Sequence, residues 1–107
     1  MIKVFVKEKQ QQITRITIKG HADSAIYGKD LICASVSTAI TGIINELIKR
    51  KVFEKEYGYY ELDEGFADII VTNSDRDIQV VLETFVTILE TIENSYPKYL
   101  TITKREV

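Results

Sequence analysis

The sequence has very few of the residues that build disulfides and metal sites. Its 107 residues include one cysteine, one histidine, one proline and no tryptophan. One cysteine excludes an intrachain disulfide, and a structural zinc site needs about four Cys or His ligands. We therefore expect no metal and no cofactor. A lone cysteine, without the apolar core of a signal peptide in MIKVFV, predicts a protein of the reducing cytoplasm.

The sequence has a small net charge and an ordinary share of charged residues. The formal net charge is -2, with 28% charged and 45% hydrophobic residues, a composition typical of a soluble globular protein. Because nucleic-acid binding favours a basic domain, we expect no direct nucleic-acid partner. No apolar run approaches membrane-spanning length, so we expect no membrane partner. The length favours one domain covering residues 1–107.

The first half of the chain predicts a hairpin followed by a helix. Alternating apolar residues in IKVFV and ITRITIK are typical of two paired strands. Helical spacing then begins at Leu31, with Asp30 where an N-cap is expected. Gly42 inside this helix suggests close packing against another backbone, since glycine there lowers stability.

The second half follows the same plan. YGYYEL and FADIIV flank the short loop Asp63-Glu64-Gly65 and predict a second hairpin. Ser74 and Asp77 match a capping box at the start of a long amphipathic helix. Pro97 ends that helix, and YLTITK predicts a last strand. The order ββαββαβ indicates a two-layer α+β fold, with two helices packed on one face of a mainly antiparallel sheet.

The only histidine and the only cysteine lie in one segment, GHADSAIYGKDLICASVS. With a helix start at Leu31, Cys33 lies in the first turn, where unpaired N–H groups stabilise a thiolate. The backbone N–H groups of Cys33 and Ala34 would then be candidates for an oxyanion hole. His21, at the end of the preceding strand, is a candidate general base. The alternative is a buried structural cysteine with a histidine nearby by chance, and spacing alone leaves both open.

A longer motif around His21 and Cys33 resembles the signature of a known protein family. Gly20-His21-Ala22, a variable loop, and then GKDLICASVS from Gly28 to Ser37 resemble the signature of the ribosomal-processing cysteine protease family Prp. The order of hairpins and helices fits this family over essentially the whole chain. The resemblance implies a homodimeric cysteine endopeptidase that removes a short N-terminal extension from a large-subunit ribosomal protein during ribosome assembly.

The resemblance also implies roles for individual residues. Cys33 is the nucleophile and His21 the general base, while Asp30 and Ser37 occupy supporting polar positions. Whether Asp30 caps the helix or orients His21 stays open. A flexible loop over the active site is implied for residues 22–29. We further expect the loop and substrate contacts to involve Gly20, Ala22, Ile26, Tyr27 and Gly28, with ordinary loop packing as the alternative for Ile26 and Tyr27.

Two other functions remain as alternatives. A redox-sensing thiol protein would oxidise Cys33 reversibly, although the chain has no second cysteine to resolve the oxidised form. A non-catalytic assembly module on the ribosome would bind through an exposed surface, for which Tyr57, Tyr59 and Tyr60 are candidates. Only a protease would turn over a peptide substrate.

Overall fold

Five strands and two helices follow one another in the predicted order. The computed structural model describes residues 1–20 and 27–107, without the side chains of residues 27–30. The strands are β1 (Ile2–Lys9), β2 (Gln12–Lys19), β3 (Gly58–Asp63), β4 (Phe66–Val71) and β5 (Leu100–Glu106). The helices are α1 (Tyr27–Lys49) and α2 (Arg76–Ser95). The predicted order ββαββαβ and the α+β class are confirmed.

The strands form one mixed sheet in the order β3-β4-β2-β1-β5. Both predicted hairpins are present, and β2 and β4 join them side by side in antiparallel fashion. The exception to antiparallel pairing is β5, which lies parallel to β1 with Leu100 beside Ile2. The sheet is therefore mainly antiparallel, as predicted, with β3 and β5 at its edges.

The two faces of the sheet differ in burial. Along β1, residues 2, 4 and 6 are buried, while Lys3, Phe5 and Lys7 on the other face are exposed. The buried face packs with both helices into one hydrophobic core. The largest fully buried side chains are those of Phe85, Ile16, Leu47, Ile69, Leu82, Leu89, Leu100, Val4 and Val6. Burial of so many large aliphatic groups supplies the main favourable free energy of folding.

Helix α1 begins earlier than its spacing predicts. It starts at Tyr27 instead of Leu31, so the predicted N-cap at Asp30 is wrong and Gly28 belongs to the helix rather than to a loop. A single glycine lowers helix stability by about 1 kcal/mol, which does not prevent helix formation. Asp30 now lies in the first turn, where the helix dipole favours a negative charge.

The composition of α1 corrects the prediction about apolar runs of membrane-spanning length. Among the described residues, Leu31–Lys49 is long and apolar enough to cross a membrane by length and composition alone, contrary to the prediction that no such run exists. Core helices of soluble proteins pass the same test. Ile32, Val36 and Leu47 of this stretch are buried in the core. The predicted close packing at Gly42 is also wrong, because a Cβ there would meet nothing within 4 Å.

Helix α2 is capped one residue later than predicted. Asp75 has extended backbone angles, and its Oδ1 accepts a hydrogen bond from the N–H of Ile78 at 2.9 Å. The Oγ of Ser74 instead accepts from the Gln79 side chain at 3.0 Å. Gln79 is buried and also bonds both the N–H and the carbonyl of Ile13. This side chain therefore fastens the start of α2 to the first hairpin.

Candidate active site

Cys33 lies in the second turn of α1 and lines a cleft of about 350 Å³ between that helix and the ends of the strands. Its side chain is partly buried and packs against the hydrophobic core. The apolar side chains that line the cleft are those of Ile2, Ile18, Val36, Ile40, Leu62, Phe66 and Ala67. The sulfur is thus placed beside a concave, mainly apolar surface, which is the usual form of a small-molecule or side-chain pocket.

Gly20 fixes one wall of this cleft. Its φ is +98°, and a Cβ at this position would lie 2.5 Å from the carbonyl oxygen of Met1. Only glycine fits this backbone, because a side chain would meet both strain and a fixed backbone atom. The N–H of Gly20 donates to the carbonyl of Gly65 at 3.0 Å. The end of β2, which precedes His21, is therefore held against the β3–β4 turn.

The structure brings together some of the predicted site residues. Gly20, Cys33 and Ser37 line the same cleft. Ala34 is exposed and is not part of the cleft lining. His21, Ala22 and Ile26 lie outside the described residues, as do the side chains of Tyr27, Gly28 and Asp30. Their predicted roles, including the dyad of His21 with Cys33, stay predictions.

The oxyanion hole predicted at Cys33 and Ala34 stays a prediction, although Cys33 does not lie in the first turn of α1 as expected. Because α1 begins at Tyr27, its unpaired N–H groups belong to the first turn, and the two proposed donors lie within the helical hydrogen-bond ladder. Cys33 follows Tyr27 by six positions, so its backbone lies about 9 Å from the helix start along the axis. The effect of the helix dipole on Cys33 is correspondingly weaker, since it falls off within the first turn.

The β3–β4 hairpin contributes a wall that the sequence prediction missed. Leu62, Asp63, Glu64 and Gly65 all line the cleft. The sequence alone does not reveal this wall. It follows from the pairing of β4 with β2, which places Phe66 opposite Lys19. Asp63 is held locally, since its Oδ1 accepts from the N–H of Glu64 at 2.7 Å. Two carboxylates at the turn make this side of the cleft acidic.

Metal ligation has no support in the described part of the chain. There, no group of three or more His, Cys, Asp or Glu residues could hold an ion. The chemistry that this cleft can offer is that of a partly buried thiol beside an apolar pocket with an acidic wall.

Comparison with known proteins decides the family. The sequence model of the family described as "Cysteine protease Prp" matches residues 1–101. The chain belongs to the cysteine protease Prp family. It is therefore a cysteine protease, as the sequence motif predicted.

Relatives within the Prp family cover nearly the whole chain. The ribosomal processing cysteine protease Prp of Bacillus subtilis (strain 168) is 28% identical over 110 residues, which span 96% of each protein. A crystal structure of an essential ribosomal processing protease Prp from S. aureus, with a covalently linked product peptide, has a TM-score of 0.82 and 28% identity. It covers 98% of this chain and 100% of that one.

A second solved structure agrees with this likeness. SMU.848 from Streptococcus mutans superposes with a TM-score of 0.84 at 26% identity, covering 100% of this chain and 96% of its own. The fold of this structure is therefore shared over the whole of the present chain. The similarity includes both hairpins and both helices, so the cleft beside Cys33 lies in a shared scaffold.

Proposed function

We propose that this protein removes a short N-terminal extension from a large-subunit ribosomal protein, using Cys33 as the nucleophile and His21 as the general base. The observation that carries the proposal is that the single cysteine of a cysteine protease lines the apolar cleft. Relatives named as ribosomal processing proteases supply the class of substrate. The apolar lining of the cleft suits an apolar side chain of the extension.

The proposed reaction has two steps. The Cys33 thiolate attacks the scissile carbonyl carbon, a C–S bond forms, and the C–N bond breaks as His21 protonates the leaving amine. Water then adds to the thioester, His21 accepts its proton, and the peptide acid and the free thiolate are released. No external oxidant or metal is needed for this balance. Asp30 and Ser37 are proposed to support the dyad.

The substrate is proposed to bind in an extended conformation beside β3. This strand lies at the edge of the sheet, and Leu62 near its end lines the cleft. An extended peptide can add to a free strand edge through main-chain hydrogen bonds, while its side chains enter pockets. The acidic wall formed by Asp63 and Glu64 favours basic residues next to the apolar segment. Ile26 and Tyr27 remain predicted substrate contacts.

The direct test uses a recombinant large-subunit ribosomal protein that carries its N-terminal extension. Incubation with the protease should yield two defined masses, and the Cys33→Ser variant should yield none while keeping a wild-type circular dichroism spectrum. Cleavage at an undiminished rate by Cys33→Ser would refute the proposed nucleophile. Stable binding without cleavage would favour the assembly module, and reversible oxidation of Cys33 without cleavage would favour the redox sensor.

Assembly and location belong to the same proposal. We expect a homodimer, as the family resemblance implies, and a cytoplasmic protein, because a lone cysteine suits a reducing compartment. Sedimentation equilibrium of the wild-type protein measures the assembly state, and a monomer mass at all concentrations would contradict the dimer. Fractionation of cells with an antibody against the protein tests its location.

A further inference from the structure

The open face of the sheet gathers positive charge in a way that the overall composition hides. Lys7 on β1 lies beside Arg15 on β2 and beside Arg105 on β5. Neighbouring strands are about 4.8 Å apart, so three cationic residues follow one another across the sheet. Like charges in directly opposite positions destabilise a sheet. A row of this kind therefore lowers stability unless an anion neutralises it.

Within this row, only Arg15, at one end, is paired with an acidic side chain of the described residues. Arg15 forms a bidentate pair with Asp68, with Nη2 to Oδ2 at 2.6 Å. Among the described residues, no ion pair joins Lys7 or Arg105 to an acidic side chain. Both of these residues are exposed. Two neighbouring cations are thus left for an external anion.

A shallow cavity of about 620 Å³ covers this row. The ten described residues that line it include five basic residues and no acidic one. They are Phe5, Val6, Lys7, Arg15, Thr17, Lys19, Phe66, Thr103, Lys104 and Arg105. Two of the basic residues are paired, Lys104 with Glu90 and Arg15 with Asp68. This leaves Lys7, Lys19 and Arg105 outside the ion pairs of the described residues.

The cavity is therefore an electropositive trough on a protein whose net charge is -2. The expectation of no direct nucleic-acid partner rested on that net charge, which does not describe this face. Such local fields attract polyanions even when the whole chain is acidic.

Aromatic side chains lie among the cations. Phe5 is 41% exposed at the centre of the face, and Lys19 places its Nζ 5.9 Å from the ring centroid. Phe66 is partly exposed two strands away, where it lines both this trough and the Cys33 cleft. Exposed rings flanked by lysines are the pattern with which sheet surfaces bind single-stranded nucleic acid, by stacking bases and neutralising phosphates.

We propose that the open sheet face, defined as the surface around Lys7, Arg105, Phe5, Lys19 and Phe66, binds single-stranded RNA. Charge complementarity selects a polyanion, because a second copy of the same face would bring like charges together. The exposed rings favour RNA over an acidic peptide, since bases stack on them whereas carboxylates gain nothing from them. The contact is sequence-tolerant and lies next to the cleft. The proposal does not rest on the proposed proteolysis, although Phe66 also lines the cleft.

The test is fluorescence anisotropy with a fluorescein-labelled 12-nucleotide oligouridylate in low salt. Wild-type protein should bind with a Kd between about 10⁻⁶ and 10⁻⁴ M, weakening as salt rises. The double variant Lys7→Gln/Arg105→Gln should bind at least tenfold more weakly. Its salt slope should fall by about 1.4, from about 0.7 for each lost phosphate contact. Phe5→Leu should weaken binding about fivefold without changing the slope.

A matched control separates the face from overall charge. Lys49→Gln/Lys98→Gln removes the same two charges from exposed positions outside the trough, and it should bind like wild type. Equal weakening by both double variants would overturn the proposal, as would equal binding of a poly-glutamate peptide. Absence of saturable RNA binding up to about 1 mM protein would also overturn it.

Stability and activity supply further readouts. Lys7 lies between two other cations, so Lys7→Gln should raise the urea midpoint, whereas loss of a structural side chain would lower it. Peptide cleavage should be unchanged in Lys7→Gln/Arg105→Gln, so a failure of RNA binding is distinct from a failure of the protease assignment. If the same variant instead dissociates a dimer in sedimentation, the face is a protein interface and the proposal is wrong.

Discussion

The N–H of Gly20 donates a hydrogen bond to the carbonyl of Gly65 and ties the end of β2 to the β3–β4 turn. Gly20 and Gly65 both have positive φ, at 98° and 71°, so each accepts a backbone that other residues adopt with strain. Both line the cleft that contains Cys33. This pair therefore joins the chain that precedes His21 to the acidic wall of the cleft.

The variant Gly20→Ala should lower both stability and cleavage. Its Cβ would lie 2.5 Å from the Met1 carbonyl oxygen, and the positive φ alone costs about 1–3 kcal/mol for a residue with a side chain. Urea denaturation and peptide turnover measure the two effects. A stability equal to wild type would show that the end of β2 moves freely, against the packing described above.

The variant Leu62→Ala should impair substrate binding more than folding. Leu62 lines the cleft but is 49% exposed, so its truncation removes little core packing. We expect a KM raised severalfold and a free energy of unfolding within about 1 kcal/mol of wild type. Tyr59→Ala, on the same strand but outside the cleft lining, is the matched control. An equal KM for the two variants would argue against peptide binding beside β3.

Gly42→Ala should stabilise the protein. The position is helical, a Cβ there meets nothing within 4 Å, and alanine favours a helix by about 1 kcal/mol over glycine. Thermal unfolding should shift upward by about 4–8 °C for each kcal/mol in a domain of about this size. A lower melting temperature would mean that another surface packs closely on this side of α1.

Acid should destabilise the protein partly through Asp68. Burial alone would raise the pKa of this carboxyl, but hydrogen bonds from Arg15 and Thr17, with the charges of Arg15 and Lys19, lower it overall. A lowered pKa contributes stability that is present above the unfolded value of about 3.9 and is lost as pH falls through the folded value. The Asp68→Asn variant should therefore be less stable at neutral pH.

The Asp68→Asn difference should shrink as pH falls below about 4, because the wild-type carboxyl then becomes protonated too. Urea midpoints measured at several pH values test this, with Asp77→Asn as an exposed control whose carboxyl lies 4.0 Å from Arg50. A constant difference between Asp68→Asn and wild type at all pH values would contradict the argument.

The periodicity of the sequence predicted the elements because each is set by local alternation or helical spacing. Their ends were less predictable. Ser74 and Asp75 are both good capping residues, and only the backbone angles decide that Asp75 accepts from Ile78. The start of α1 was predicted at Leu31 but lies at Tyr27, because no strong local signal marks this boundary.

The site was predicted from a motif, whereas its walls depend on pairing between distant strands. Leu62 and Glu64 join the cleft because β4 lies beside β2, which local patterns do not encode. For the same reason, the hydrogen-bond partners of the buried Asp68 were not predicted. Asp68 in the apolar run FADIIV was a visible anomaly, but its partners Arg15 and Thr17 lie on another strand.

The parallel contact of β1 with β5 has a consequence for the time at which the enzyme matures. β1 lies inside the sheet, and its outer neighbour, from Leu100 onward, is translated about 5–20 s later at ordinary elongation rates. During that interval, Ile2 and Val4 lack the partner that completes their ladder. A nascent chain therefore emerges with its first strand open to mispairing, and the sheet is completed only after β5 has been synthesised.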